Sequence, residues 1–355
     1  MMEMSRKRVI FIDYIRALAI LMVIMCHVID VNCLFWLGYQ EMSGARQIII
    51  YTLLIFGRCG VPLFLMITGY LLLDRDYSHG KWKSFYLHKW LHLFLLTEIW
   101  FAIYEAFAVC VQGKPFVWKD FILRLLFIEE PVLSHAWYLP MILKLYLLIP
   151  LIAQIVKNCK TYRTKRWIIV CLMDINLLLQ VGYRIYPILT EIASLFLYIS
   201  YMIVGVYVRQ CARKPKKRIS IYSGLLISIG LLGNEIFLRI QYMHRQPVYL
   251  WYDNIFVIVM AIGIFVIISD LDIHRNNRII VSLSRDSFGI YLIHNMIALS
   301  MMHLIQGWKI GLYGKMFITY MFVWGVSWVI ERGIEKIPYL GSVLLYKRLT
   351  IKSQV

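Results

Sequence analysis

An all-α bundle of about ten transmembrane helices, with both ends cytoplasmic, is the fold class the sequence predicts, and three observations predict it. Hydrophobic residues make up 61% of the 355-residue chain. That is more than one aqueous core buries, since soluble domains run nearer half apolar. Charged residues are only 16%, and they cluster between apolar blocks, as they must when a charge at the hydrocarbon centre costs roughly 3 kcal/mol on insertion scales. Lys and Arg, finally, are distributed unequally between alternate loops.

The apolar blocks run 9–31, 48–73, 85–111, 136–156, 167–181, 188–208, 219–240, 248–268, 288–305 and 315–330, each near the ~20 residues a helix needs to cross a bilayer. The fifth is the shortest. The first is too long for a signal-peptide core and no small-residue cleavage site follows it, so it reads as a retained span. Segment 116–127 is shorter and mixed in character, as expected of an interfacial helix between the third and fourth spans. With the N-terminus set inside and the blocks alternating, 26 of the 38 Lys and Arg fall in cytoplasmic segments, nine in outer segments, and three (Arg16, Arg58, Lys144) within spans. That bias in short loops sets the orientation, and one missed span would invert every later loop. The chain reads as one membrane domain, 1–355, with no low-complexity segment or linker. No internal repeat is visible, which weighs slightly against the inverted-repeat transporter folds.

The net charge of +18 would raise nucleic acid as a partner in a soluble protein. Here the positives are accounted for as topology signals, and no nucleic-acid partner is expected. The seven cysteines form no CxxC pair and most lie inside apolar blocks, so neither a metal site nor a disulfide framework is expected. Cys33 and Cys110 both fall near the outer face, and the sequence leaves their pairing open.

Function should sit where ionisable groups stand in hydrocarbon. In the first span, Arg16 and His27 are eleven residues apart, which is three helical turns plus about 20° and a rise of about 16 Å. They therefore share one face, Arg16 towards an inner cavity and His27 nearer the outer leaflet. Asp30, one turn above His27, is placed to hold a ring nitrogen and set its tautomer. The plainer alternative is two independent residues, Arg16 snorkelling inward and His27 satisfied by a carbonyl.

In the second span, Pro62 follows Gly57-Arg58-Cys59-Gly60-Val61, so a kink is expected beside a buried Arg58 that needs an acid or anion to pair with. Gly69 reads equally as a close helix contact. The following cytoplasmic segment, with Arg75, Lys81, Lys83, Lys89 and His92, faces the side where anionic cofactors are found, although the positive-inside bias explains most of it. Lys89 and His92 are i, i+3 and share a face. Glu98 and Glu105, i and i+7, read as structural partners for Arg58 and Lys144 before a proton path. His135-Ala136-Trp137-Tyr138 opens the fourth span, where an aromatic belt explains Trp and Tyr better than a sugar-stacking role does on composition alone. Ser284 is placed to cap the helix that carries His294 deep in the ninth span, where a lone His is more often a satisfied structural group.

Four elements in order carry a resemblance. Arg16 and His27 stand in the first span with ten residues between them. Val61-Pro62-Leu63-Phe64 and Thr68-Gly69-Tyr70 form the second element, His135-Ala136-Trp137-Tyr138-Leu139 the third, and Ser287 to His294 (Ser-Phe-Gly-Ile-Tyr-Leu-Ile-His) the fourth. Together, over about 9–330, they resemble the membrane acyltransferase family 3. Thr68 stands where the family usually has Ser, and Lys89-x-x-His92 where many members carry Arg-x-x-Arg, a weaker phosphate grip than two bidentate arginines.

The resemblance implies transfer of an acetyl or similar short acyl group from cytoplasmic acyl-CoA to a hydroxyl of an envelope polysaccharide or lipid-linked sugar, in a bacterial inner (cytoplasmic) membrane. It implies His27 as general base or acyl carrier with Asp30 orienting it. It implies acyl-CoA contacts at Arg16, Arg58, Arg75, Lys89 and His92, and substrate contacts at Thr68, Tyr70, His135, Trp137, Tyr138 and His294. Acyl-CoA enters as co-substrate, membrane lipids are the surroundings, and no metal is expected. A transporter or flippase for a polar solute or acylated glycan intermediate, and a non-catalytic membrane partner or sensor, are the readings from other classes. The acceptor, the acyl chain and the oligomeric state are not legible in the sequence.

Overall fold

The computed structural model describes residues 9–36, 44–159, 161–181, 188–211, 217–271, 273, 277–305 and 307–346, and among them no strand forms. The helices are Ile10–Trp36 (α1), Ala45–Arg58 (α2), Gly60–Leu72 (α3), Lys81–Phe85 (α4), Leu91–Cys110 (α5), Trp118–Leu125 (α6), Tyr138–Asn158 (α7), Tyr162–Val181 (α8), Ile188–Cys211 (α9), Lys217–Met243 (α10), Ile255–Asp270 (α11), Arg278–Ile305 (α12), Leu312–Lys336 (α13) and Leu340–Leu344 (α14). A π-helical stretch, Tyr86–Trp90, joins α4 to α5, and a 3₁₀ turn, Ser134–Trp137, leads into α7.

Among the described residues, six segments are long and apolar enough to cross a membrane: Ile10–Val31, Ala45–Leu72, Lys81–Cys110, Ser134–Asn158, Ile192–Cys211 and Ser220–Met243. Ile255–Asp270 is as apolar but shorter. The remaining predicted blocks are helical too, in α8, α12 and α13, and these helices carry charges within their length, among them Arg166 and Asp174, Arg285 and Asp286, and Glu331 and Arg332. The outer surface of the bundle is apolar. On α10, Ile221, Leu225, Ile229, Leu232, Ile236, Ile240 and Met243 are all exposed. Steps of three and four residues put them on one helical stripe that faces away from the protein, as lipid contact requires.

Helix α1 is the hub. It packs against α2, α3, α11, α12 and α13, so its apolar residues are buried around most of its circumference. A buried Ser284 hydroxyl donates to Asp13 Oδ1 at 2.7 Å and ties α12 to α1. Helix α12 begins at Arg278, where the Asn277 side chain accepts from the Ile279 amide at 2.9 Å. Ser284 is therefore not the cap expected from the sequence, because the helix starts nearly two turns earlier and leaves its hydroxyl free to reach α1.

The expected kink appears as a break. Helix α2 ends at Arg58 and α3 starts at Gly60, with Cys59 between them. Pro62 has no amide to give the Arg58 carbonyl, so the i→i−4 ladder is interrupted at that turn. Further along, α3 crosses α9 backbone to backbone. A Cβ on Gly69 would fall inside the Met202 carbonyl, and one on Gly205 inside the Met66 carbonyl. Small residues permit that approach, which is how helices associate where no hydrophobic effect drives them together.

The interfacial helix forms as α6 and is pinned by an ion pair. Arg124 Nη1 donates to both carboxylate oxygens of Glu105 on α5, at 3.0 and 2.9 Å. Glu105 thus takes Arg124 rather than Arg58 or Lys144, because α6 folds back over the end of α5 and supplies a nearer cation. The Cys33 side chain lies outside the described residues, so its pairing with Cys110 is not addressed.

Candidate functional site

The shared face of α1 organises the site. Arg16 and Val23 line a cavity of about 280 Å³ between α1, α3, α7 and α12. His27 stands one turn beyond Val23 on the same face. Thr68, Tyr138, Ser287 and Tyr291 supply other walls, and Tyr346 closes one end. Thr68 turns its hydroxyl back to the Phe64 carbonyl at 2.9 Å.

Two larger basic clefts share walls with this cavity. One, about 490 Å³, is lined by Asp13, Arg16, Tyr70, Arg75, Arg209, Ser284 and Arg285, and so touches the cavity at Arg16, Ser284 and Arg285. The other, about 990 Å³, carries Arg75, Lys81, His88, Lys89 and His92 and meets the cavity at Tyr346. Arg75 belongs to both clefts. Its Nε donates to the Leu71 carbonyl at 2.8 Å. Lys89 and His92 also hold the C-terminal segment in place. The His92 ring nitrogen donates to the Ser342 carbonyl at 2.9 Å, and Lys89 Nζ lies 5.9 Å above the Tyr346 ring. Tyr70 packs edge-on to Phe11 and lies under the Arg209 guanidinium, which also pairs with Asp74 at 3.0 Å.

At the other end of the cavity the aromatic wall leads to imidazoles. Tyr138 lies 5.4 Å from Tyr291, and Tyr291 lies 5.7 Å from both His135 and His294, centroid to centroid. His27 is 5.1 Å from His294 and 6.1 Å from His135, and the latter two are 5.2 Å apart. Three histidines from α1, the turn before α7, and α12 therefore meet in one buried spot. They are more than a hundred residues apart in sequence.

Their hydrogen bonds fix them. The Tyr291 hydroxyl donates to the His135 carbonyl at 2.7 Å, and His294 Nδ1 meets the Tyr291 carbonyl at 2.6 Å. Asn295 Nδ2 meets His135 Nδ1 at 3.0 Å. The Tyr104 hydroxyl, donating to the Leu292 carbonyl at 2.9 Å, braces the same turn of α12. Gly289 earns its place in the Ser-Phe-Gly-Ile-Tyr element by contact, since a Cβ there would meet Glu331 Cγ at 2.5 Å.

Asp30 and Arg58 form a separate group beyond the histidines. Asp30 takes Arg58 Nη2 at 3.4 Å and the Cys26 thiol at 3.8 Å. A guanidinium draws the carboxylate more strongly than a neutral imidazole does. Arg58 also sits 5.5 Å over the Trp251 ring. Trp251 continues into a cluster with Trp137 and Tyr252, at 5.3 and 4.9 Å. Arg58 and Trp137 therefore belong to this end, away from the basic clefts, whereas Arg16, Arg75, Lys89 and His92 line those clefts.

The sequence singled out neither Asn295, Arg209 nor Arg285 as a site residue, and Tyr291 entered only within the Ser287 to His294 element. Asn295 carried one usable signal, a polar amide beside a histidine deep in an apolar block. Among the described residues, Asp286, Glu331 and Glu335 bring carboxylate oxygens within 4.8 Å of one another. Arg285 and Arg332 already bridge Asp286, at 2.9 and 2.8 Å, and both reach Glu335, so the group is a structural tie between α12 and α13.

Apolar helices that expose a lipid-facing stripe surround a cavity that shares Arg16 with a basic cleft and is lined by Tyr291, the ring beside His135 and His294, the layout of a membrane protein with an internal polar site. The chain belongs to acyltransferase family 3: the family model, described as an acyltransferase domain, matches residues 9–346. Comparison with curated proteins and with solved structures gives no match.

Proposed function

We propose that this acyltransferase moves an acetyl or similarly short acyl group from cytoplasmic acyl-CoA to a hydroxyl of an envelope polysaccharide or lipid-linked sugar. It does so within a ten-span bundle of the bacterial inner membrane whose ends are both cytoplasmic. The observation that carries the reading is the α1 face: Arg16 lines both the cavity and a basic cleft, and His27 stands three turns on, among His135 and His294.

The clefts offer Arg16, Arg75, Lys89 and His92 to the phosphates of the donor. The cavity, about 280 Å³, lies at the small end of ligand sites, which run ≈ 300–1,000 Å³. That size suits a narrow arm with a short acyl end and not a nucleotide. His27 takes the proton of the acceptor hydroxyl as that oxygen attacks the thioester carbonyl, and returns the proton to the departing thiolate. The Arg58–Asp30 pair and the Trp137–Trp251 cluster suit the acceptor's end, with aromatic faces for a sugar ring.

The test is thiol release from acetyl-CoA by purified protein in detergent, with a hydroxylated glycan present. Turnover without two compartments is expected of the enzyme. Protein that moves a glycan across vesicles yet releases no thiol would refute the proposal in favour of transport.

A further inference from the structure

The two histidines beside His27 are held in opposite tautomers, and the side chain responsible for one of them is Asn295. A carbonyl oxygen only accepts, so the 2.6 Å contact of His294 Nδ1 with the Tyr291 carbonyl makes Nδ1 the protonated nitrogen. Nε2 of His294 then carries a lone pair. An amide nitrogen only donates, so the 3.0 Å contact of Asn295 Nδ2 with His135 Nδ1 makes Nδ1 of His135 the acceptor. Nε2 of His135 then carries the hydrogen. Both Nε2 atoms are buried with no hydrogen-bond partner among the described residues, in side chains at most 1% exposed. A buried polar atom left unsatisfied costs about 1–3 kcal/mol, so two of them beside a third imidazole mark a place built to receive a ligand's polar atoms.

We infer that, in the acyl transfer proposed above and resting on it, His135 Nε2–H donates to the oxyanion that forms on the acyl carbonyl. His294 Nε2 takes the hydrogen bond of His27 once His27 is protonated, and Asn295 is the positioning residue that keeps His135 a donor. The step balances. The acceptor oxygen bonds to the carbonyl carbon as its proton passes to His27. The carbonyl π pair moves onto oxygen, facing His135. Collapse of that tetrahedral species breaks the carbon–sulfur bond, and the thiolate takes the proton from His27.

The experiment is a pair of variants with a spectroscopic check. Asn295→Asp replaces a donor by an acceptor and turns His135 to the Nδ1–H form. Removal of one oxyanion donor lowers kcat by on the order of 10²–10³-fold, with the KM for acyl-CoA little changed. In a His135→Gln background, where the donor is an amide with no tautomer to lose, Asn295→Asp is expected to cost less than about tenfold more, since the two changes share one interaction. Nitrogen NMR of His135 in the otherwise wild-type protein should show Nε2 protonated. Finding Nδ1 protonated instead overturns the inference without any variant. So does wild-type kcat in Asn295→Asp, or an equal loss in both backgrounds. Absence of thiol release from the wild type overturns the acyl-transfer reading itself, and this role with it.

Discussion

Neutralising Asp30 separates two accounts of how the neighbourhood of His27 is held. If Asp30 oriented the His27 ring, Asp30→Asn would act on His27 alone and would be indifferent to Arg58. The structure instead joins Asp30 to Arg58 at 3.4 Å, with side chains 24% and 13% exposed. Two unit charges at that separation attract by about 5 kcal/mol at an effective dielectric near 20. Partial exposure, single-contact geometry and desolvation leave a coupling of about 1–3 kcal/mol. The assay is a double-mutant cycle of Asp30→Asn, Arg58→Gln and the pair, read as thermal stability in detergent and as kcat/KM for acyl-CoA. Each single change is expected to remove the Asp30–Arg58 attraction, and the double variant to cost less than the sum of the two. Effects that add within about 0.5 kcal/mol would refute the pairing.

Three further outcomes follow from particular contacts. Gly69→Ala and Gly205→Ala each drive a methyl into the opposite backbone, so each should lower stability by about 1–3 kcal/mol or more, seen as a lower melting temperature in detergent. Since α3 also carries Val61, Phe64 and Thr68 of the cavity, activity should fall too. Glu105→Gln removes a 6%-exposed carboxylate from Arg124 and should cost about 3–5 kcal/mol, whereas the Glu105→Gln, Arg124→Met double variant should cost less; protease access to α6 reports both. Asp76 accepts from Lys81, Ser78 and Lys157, which hold its carboxyl well below the ordinary range. A depressed native pKa gives stability that is present above the unfolded value and lost as pH falls through the native one. The stability gap between wild type and Asp76→Asn should therefore be level above about pH 5 and shrink only in stronger acid.

The α1 face was legible because a single helix obeys its own arithmetic: eleven residues bring Arg16 and His27 into line whatever surrounds them. The break at Cys59 was legible for the same reason, since Pro62 acts on its own turn. Partners across helices were not. Glu105 found Arg124 because α6 folds back over α5, and Asp30 found Arg58 because α2 ends beside α1. No spacing encodes either meeting. The histidine cluster is the sharpest case. His135 and His294 stood out only through the resemblance, and nothing in their local sequence says that they lie 5.2 Å apart or that the Tyr291 hydroxyl reaches the His135 carbonyl while the Tyr291 carbonyl takes the His294 ring. Asn295 was passed over because its purpose exists only once His135 is beside it.

The central claim is that His27, carried on the Arg16 face of α1, performs the proton transfer of acyl transfer. Its most direct test is His27→Ala, folded and eluting as wild type in detergent, assayed for acyl groups on purified glycan. General acid–base catalysis is worth about 10²–10⁴-fold, so the account predicts a loss at least that large with acyl-CoA binding retained. Glycan acylated at the wild-type rate would contradict it.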